Sequence, residues 1–73
     1  MQKKFLISYD HDADVVYISL GRPLKAISEE VDEDVLARYS PRTGDLVGMT
    51  ILNFSKRFTG KKPEEVAVPA SRG

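Results

Sequence analysis

The chain has no cysteine and a single histidine, His11, among its 73 residues. The first absence excludes disulfides, and the two together exclude the usual Cys/His zinc cages within one subunit. A cysteine-free composition also fits a reducing cytosol, so cytoplasmic residence is the expectation. Long apolar runs are missing too. Near the basic start, Phe5-Leu6-Ile7 gives three consecutive apolar residues, far short of a signal-peptide core or a membrane span, and no membrane association is expected. Net charge is absent: eleven Lys and Arg balance eleven Asp and Glu, without the overall basic surplus of a typical nucleic-acid binder. The sequence holds no glycine-rich phosphate loop and no H-E-x-x-H, C-x-x-C or G-x-S-x-G. No nucleophile stands in evident register with a base, so neither catalysis nor a cofactor is expected.

What is present is a short chain with the chemistry of β-strands. A domain of this length buries roughly 60–65% of the surface it exposes when unfolded. Its lone core supplies about 3–5 kcal/mol net, and domains of this size add disulfides, a metal or a second subunit. With cysteine gone and one histidine, association with another chain is the support that remains. Charge is divided unevenly, with four basic and eight acidic residues in 1–36 and seven and three in 37–73. Such polarity suits head-to-tail contacts or a charged partner, although a compact fold can interleave the two halves.

Lys3 to Tyr9 alternates, with Phe5, Ile7 and Tyr9 on one face and Lys4, Leu6 and Ser8 on the other. Asp10-His11-Asp12-Ala13-Asp14 is turn chemistry, and Val15 to Leu20 reads as a second strand completing a hairpin. Gly21-Arg22-Pro23 stops it. Ala26 to Val31 is a more polar strand with Ile27 and Val31 on one face, followed by an Asp32-Glu33-Asp34 turn and a strand over Val35 to Tyr39. A connection at Pro41 to Asp45, with Gly44 available for positive φ, leads to a strand from Leu46 to Leu52 in which Val47, Met49 and Ile51 share a face. Asn53 is placed to cap a short helix over Phe54 to Phe58, ended by Gly60, with Phe54 and Phe58 meeting across one turn to lid an end of the sheet. The fold class is therefore mainly β (α+β): an antiparallel meander sheet of about five strands with one short C-terminal helix, forming one domain over 1–60. Residues 61–73 read as a charged connector, with a short edge strand at Val66-Ala67-Val68 and a frayed tail from Pro69 to Gly73.

The order of these features resembles a known family. Tyr9-Asp10-x-x-Ala13-Asp14-x-x-Tyr17-Ile18, then Glu30-Val31-Asp32, then Val35-Leu36-x-x-Tyr39, then Gly44-x-Leu46-Val47-Gly48-x-x-Ile51-Leu52 is similar to the bacterial family catalogued as domain of unknown function 2283, across roughly residues 5–57. The motifs are individually bland, and their order and spacing carry the match. The resemblance implies a compact β-rich domain in a short stand-alone protein, sometimes encoded beside another small protein in an arrangement similar to toxin and antitoxin pairs. It implies no catalytic residue. Pro41-Arg42-Thr43 departs from the acidic loop expected there, and the tail after Thr59 lies outside the likeness.

Three groups of side chains invite a functional reading. Asp10, Asp12 and Asp14 open like a calcium loop, but Val15 stands where that loop needs glycine and Gly21 where it needs a bidentate glutamate. A solvated hairpin turn, with Asp10 and Asp14 bonding each other or turn amides, is the better account. His11 at the turn tip is read as an exposed imidazole without a partner for catalysis. Tyr17 and Tyr39 could stack a base or ligand, while Tyr9 and Tyr17 on adjacent strands read as a cross-strand packing pair. Lys56, Arg57, Lys61 and Lys62 beside Phe54 and Phe58 form a basic cluster able to meet phosphates, although cations are ordinary near a helix C-terminus. The acidic run Glu29 to Asp34 could steer a basic protein partner, or simply deter unwanted strand pairing.

Large apolar residues fall on both sides of the best strands: Val15 and Tyr17 oppose Val16, Ile18 and Leu20, and Leu46 and Leu52 oppose Val47, Met49 and Ile51. One short helix cannot cover both faces, and the remainder must meet a curled sheet or another subunit. The expectation is a small protein-interaction module, a homodimer with an antitoxin-like partner role. The alternative is a small-ligand or nucleic-acid binding β-domain using Tyr17, Tyr39 and the basic cluster.

Overall fold

A computed structural model describes residues 3–22, 25–60 and 62–72. Five strands form one open antiparallel sheet: β1 (Phe5–Asp10), β2 (Val15–Leu20), β3 (Ile27–Asp32), β4 (Val35–Tyr39) and β5 (Leu46–Ile51), followed by one helical turn, α1 (Phe54–Arg57). The protein is mainly β. Pro23 as the stop after β2, Lys61 of the basic cluster and Gly73 of the tail lie outside the described residues.

The strand order, which local pattern leaves open, is β1-β2-β5-β4-β3. A meander of β3, β4 and β5 is joined to the β1–β2 hairpin by pairing β2 against β5, so the chain leaves the middle of the sheet after β2 and re-enters at its far edge. This is a Greek-key path. The turns use residues that tolerate left-handed backbone: Asp14 (φ 58°), Asp34 (φ 62°) and Gly44 (φ 78°). Gly44 is also approached by the tail, because a Cβ there would stand 3.2 Å from the Arg72 carbonyl oxygen.

Register sorts the side chains into unequal faces. Phe5, Ile7 and Tyr9 sit opposite Leu20, Ile18 and Val16; these continue to Met49 and Ile51 on β5, then to Ala37 and Val35 on β4. This is the apolar face. A bulge between Arg38 and Tyr39 sets Leu46 opposite Tyr39, which brings Leu46 onto the apolar face, where the regular alternation predicts the other. The opposite face carries Leu6, Ser8, Tyr17, Ser19, Gly48, Thr50, Leu36 and Arg38, a more polar set than expected. The buried apolar core is Val15, Val16, Val35, Ala37, Tyr39 and Ile51. All six belong to the interior strands β2, β4 and β5, and burying a valine or isoleucine side chain fully contributes about 1.5–3 kcal/mol.

The C-terminal residues behave differently from the sequence expectation. Val66 to Val68 form no strand. Pro69 to Arg72, expected to fray, are tied: the Tyr39 hydroxyl donates to the Pro69 carbonyl at 2.9 Å, Leu46 N–H donates to Ala70 at 3.0 Å, and Arg72 N–H donates to Gly44 at 2.7 Å. An isolated bridge pairs Asp45 with Ser71. Backbone hydrogen bonds contribute order that the side-chain pattern does not announce.

Candidate interaction surface

The β1–β2 turn, the β3–β4 turn and α1 meet at one end of the sheet, and the first of these is organised by two aspartates. Asp10 Oδ1 accepts the N–H groups of Asp12 (3.0 Å) and Ala13 (3.2 Å), a local side-chain turn. Asp14 reaches across the chain. Its carboxylate accepts the Tyr9 hydroxyl at 2.7 Å, the Ser55 N–H at 3.0 Å and the Ser55 hydroxyl at 2.8 Å, and its carbonyl accepts the Phe54 N–H at 3.0 Å. Asp14 therefore satisfies the open N–H groups at the start of α1 that Asn53 was expected to cap. Asn53 lies in the left-handed region without a side-chain cap and instead donates from Nδ2 to Asp34 at 3.2 Å.

These contacts shift two ionisations in opposite directions. The Tyr9 and Ser55 hydroxyls hold the Asp14 carboxyl below the usual aspartate range, aided by the Ser55 N–H and by nearby Lys56 and opposed by partial desolvation. The same hydrogen bond to Asp14, with smaller help from desolvation and the charges of Asp14 and Asp10, raises the Tyr9 phenol above the ordinary tyrosine value. Tyr9 does not pair with Tyr17, since register sets Tyr9 opposite Val16 and Tyr17 opposite Ser8, on different faces. Its ring meets His11 edge-on at 4.6 Å and Phe54 at 5.8 Å, and Phe54 meets Phe58 at 4.9 Å as expected.

The sequence-selected residues separate. Tyr39 is 1% exposed and its hydroxyl is spent on Pro69, so it cannot stack a ligand. Arg57 is turned inward: Nη1 donates to the Glu33 carbonyl at 2.6 Å, Nη2 lies 3.3 Å from Asp32, and the guanidinium stands 6.0 Å from the centroid of the Phe58 ring. It straps α1 to the β3–β4 turn. Lys56 and Lys62 are exposed, Phe54 and Phe58 half-buried. Among the described residues, no three His, Cys, Asp or Glu side chains converge to hold a metal ion, and no helix is long and apolar enough to cross a membrane.

Tyr17, in contrast, is 45% exposed and belongs to a larger feature. Every residue of β1 is exposed, with Phe5 at 65% and Ile7 at 67%, and Leu6 and Tyr9 follow. Among the described residues, these are the large apolar side chains that the fold leaves in solvent. An open groove of about 530 Å³ runs beside β1, lined by Leu6, Ser8, Tyr17, Ser19 and Arg38 together with Phe5 and Ile7. On the apolar face, Phe5, Ile18, Leu20, Leu46, Val47 and Met49 line a second depression of about 110 Å³. Phe5, Leu6 and Ile7 were not among the residues singled out from the sequence. Their signal was there: apolar residues on both faces of one strand, preceded by Lys3-Lys4 and followed by Asp10.

In comparison with known families, residues 6–55 match the model described as protein of unknown function (DUF2283). The chain belongs to that family. The matched span runs from β1 to Ser55, the residue that closes the Asp14 network. No curated protein and no solved structure matches the chain.

Proposed function

We propose that this protein is a small, non-catalytic protein-interaction module of the cytoplasm that works in self-assembled form, with the β1 side of the sheet as its binding surface. The observation that carries this reading is the concentration of exposed large apolar side chains, Phe5, Leu6, Ile7, Tyr9 and Tyr17, on one hairpin. Large apolar side chains gathered in solvent around both faces of one edge mark it for association. Composition supports the same reading, because an 8.2 kDa chain without cysteine has few other means of adding stability. An antitoxin-like pairing with a second small protein is the specific role we attach to the assembled form.

The nucleic-acid reading has less support. Tyr39 is buried, and Arg57 is engaged with Asp32 and Glu33, leaving Lys56 and Lys62 as the exposed cations of the described cluster. Size-exclusion chromatography with light scattering tests the proposal. At micromolar concentration the expected mass is a multiple of the 8.2 kDa chain mass, and a single-chain mass overturns it.

A further inference from the structure

The occupant of the β1 surface can be argued from the strand itself. β1 ends the sheet on one side, paired with β2 alone. The Gly21 N–H donates to the Lys4 carbonyl at 2.7 Å, which fixes the phase of the ladder. Even-numbered residues of β1 turn their backbone groups toward β2, and in an antiparallel pair the alternate residues turn theirs away. Phe5, Ile7 and Tyr9 therefore present N–H and C=O groups to the open edge. A regular apolar edge with unmatched backbone groups is a template for another strand.

We propose that this strand is β1 of a second copy, running antiparallel and centred on Ile7, so that two five-stranded sheets become one of ten. The inference rests on the interaction-module reading and names its partner. Direction follows from charge. Lys3 and Lys4 precede the strand, while Asp10 ends it and Asp12 follows. Antiparallel self-pairing sets basic ends against acidic ends, whereas parallel pairing sets like against like. Register follows from symmetry. A two-fold axis normal to the sheet keeps each face continuous, so opposed residues have the same parity and the axis passes through a residue rather than between two. Centring on Ile7 places Lys4 opposite Asp10 and Phe5 opposite Tyr9, with Ile7 opposite its own copy. Centring on Leu6 sets Lys3 against Tyr9 and Lys4 against Ser8, losing both charge pairs. Centring on Ser8 sets Leu6 against Asp10. Of these three, the Ile7 register is the one that brings the opposite charges together while keeping Phe5, Ile7 and Tyr9 against one another's copies, with Leu6 facing Ser8 on the other side of the sheet.

The geometry gives a sharp test, since the protein contains no cysteine of its own. At the axis, Cα atoms of a hydrogen-bonded antiparallel pair lie about 5.5 Å apart, inside the roughly 4.4–6.8 Å span of disulfides. Ile7→Cys should therefore cross-link readily under mild oxidation. Leu6→Cys is displaced from its copy by two residues along the strand, about 7 Å before the sideways spacing is added, and should cross-link at least ten times more slowly. Ile7→Lys should convert a two-chain mass into the 8.2 kDa single-chain mass with an unchanged circular dichroism spectrum, because Ile7 is 67% exposed within the subunit. A wild-type protein that assembles while Ile7→Lys stays assembled, or that cross-links faster through Leu6→Cys, overturns this pairing and leaves the module reading standing. A wild-type single chain removes both.

Discussion

The two edges of the sheet are built on opposite principles. β3 carries Glu29, Glu30 and Asp32, is broken by a bulge between Glu30 and Asp32, and has Ala67, Val68 and Pro69 of the tail beside it. Arg72 and Arg57 add ion pairs to Glu29 and Asp32. Each device deters strand addition: acidic side chains repel, a bulge spoils the ladder, and a covering segment blocks approach. Among the described residues, β1 has none of them from Phe5 to Tyr9, and its one acidic residue, Asp10, stands at its end. It pairs with β2 in unbroken register from Phe5 to Asp10 and leaves Phe5 and Ile7 about two-thirds exposed. The contrast shows that this small fold has the means to guard an edge and applies them to one side. Under the proposed pairing the bare edge is the surface that takes an occupant, and the acidic run at β3 guards the opposite edge.

The seam between β2 and β5 joins the guarded half to the open half, and it offers the largest effect. Gly48 lies opposite Ser19 across that seam, and a Cβ there would stand 2.5 Å from the Ile18 carbonyl oxygen. The clash is with backbone, which cannot swing aside, so Gly48→Ala must part the strands. Overpacking costs about 1–3 kcal/mol in ordinary cores, and the top of that range or beyond is expected here, read as a fall in the urea midpoint. A single shared transition by fluorescence and circular dichroism would show the two halves melting together. An effect below about 0.5 kcal/mol, the level of ordinary surface changes, would mean that the seam is looser than drawn.

Particular residues show how much of this was readable from sequence. The five strands and the Phe54–Phe58 contact follow from periodicity and turn chemistry, because those are local properties of neighbouring residues. The pairing of β2 with β5 is not local: any strand could lie beside β2, and closure over a long connection leaves no periodic trace. The Asp14–Ser55 contact spans 41 positions, so Asn53 looked like the cap simply by adjacency. Tyr39 read as a ligand platform because a tyrosine on a strand looks the same whether its hydroxyl meets solvent or a tail carbonyl. The bulge that brings Leu46 to the apolar face also escaped the alternation rule, which assumes a regular strand. As for the interaction surface, its Tyr17 was legible, while Phe5 to Ile7 were read as ordinary strand residues until the order placed β1 at an edge.

The open half is also held by the Tyr9–Asp14–Ser55 network, and pH separates that support from the ion pairs of the guarded half. The Asp14 carboxyl titrates lower in the folded chain than in the unfolded one. The unfolded state therefore takes up protons first as acid is added, so the contribution of Asp14 is complete above the ordinary carboxylate range and is lost as pH falls through its lowered folded value. Tyr9 behaves conversely: its folded value is raised, so its share is complete below the ordinary tyrosine range and fades as pH rises through that raised value. Tyr9 is exposed and Asp14 only half-buried, so solvent screens the effect, which should be smaller than that of Gly48→Ala. Urea midpoints of wild type and Asp14→Asn should differ by a constant amount around neutrality and converge toward acid. A gap that persists undiminished through the acid limb would remove the carboxylate from the account.

The smallest effect belongs to the guard's outermost ion pair. Arg72 and Glu29 side chains are 47% and 40% exposed, a setting in which a pair contributes about 0–1 kcal/mol. Arg72→Ala deletes that pair but keeps the Arg72 N–H that donates to Gly44, so the tail should stay in place. If backbone placement of the tail and the bulged, acidic character of β3 are what close this edge, the variant should lose less than about 1 kcal/mol and scatter light with the wild-type mass. Higher assemblies in Arg72→Ala would show that one salt bridge had been holding the second edge shut, and the two edges would then differ by a removable latch rather than by construction.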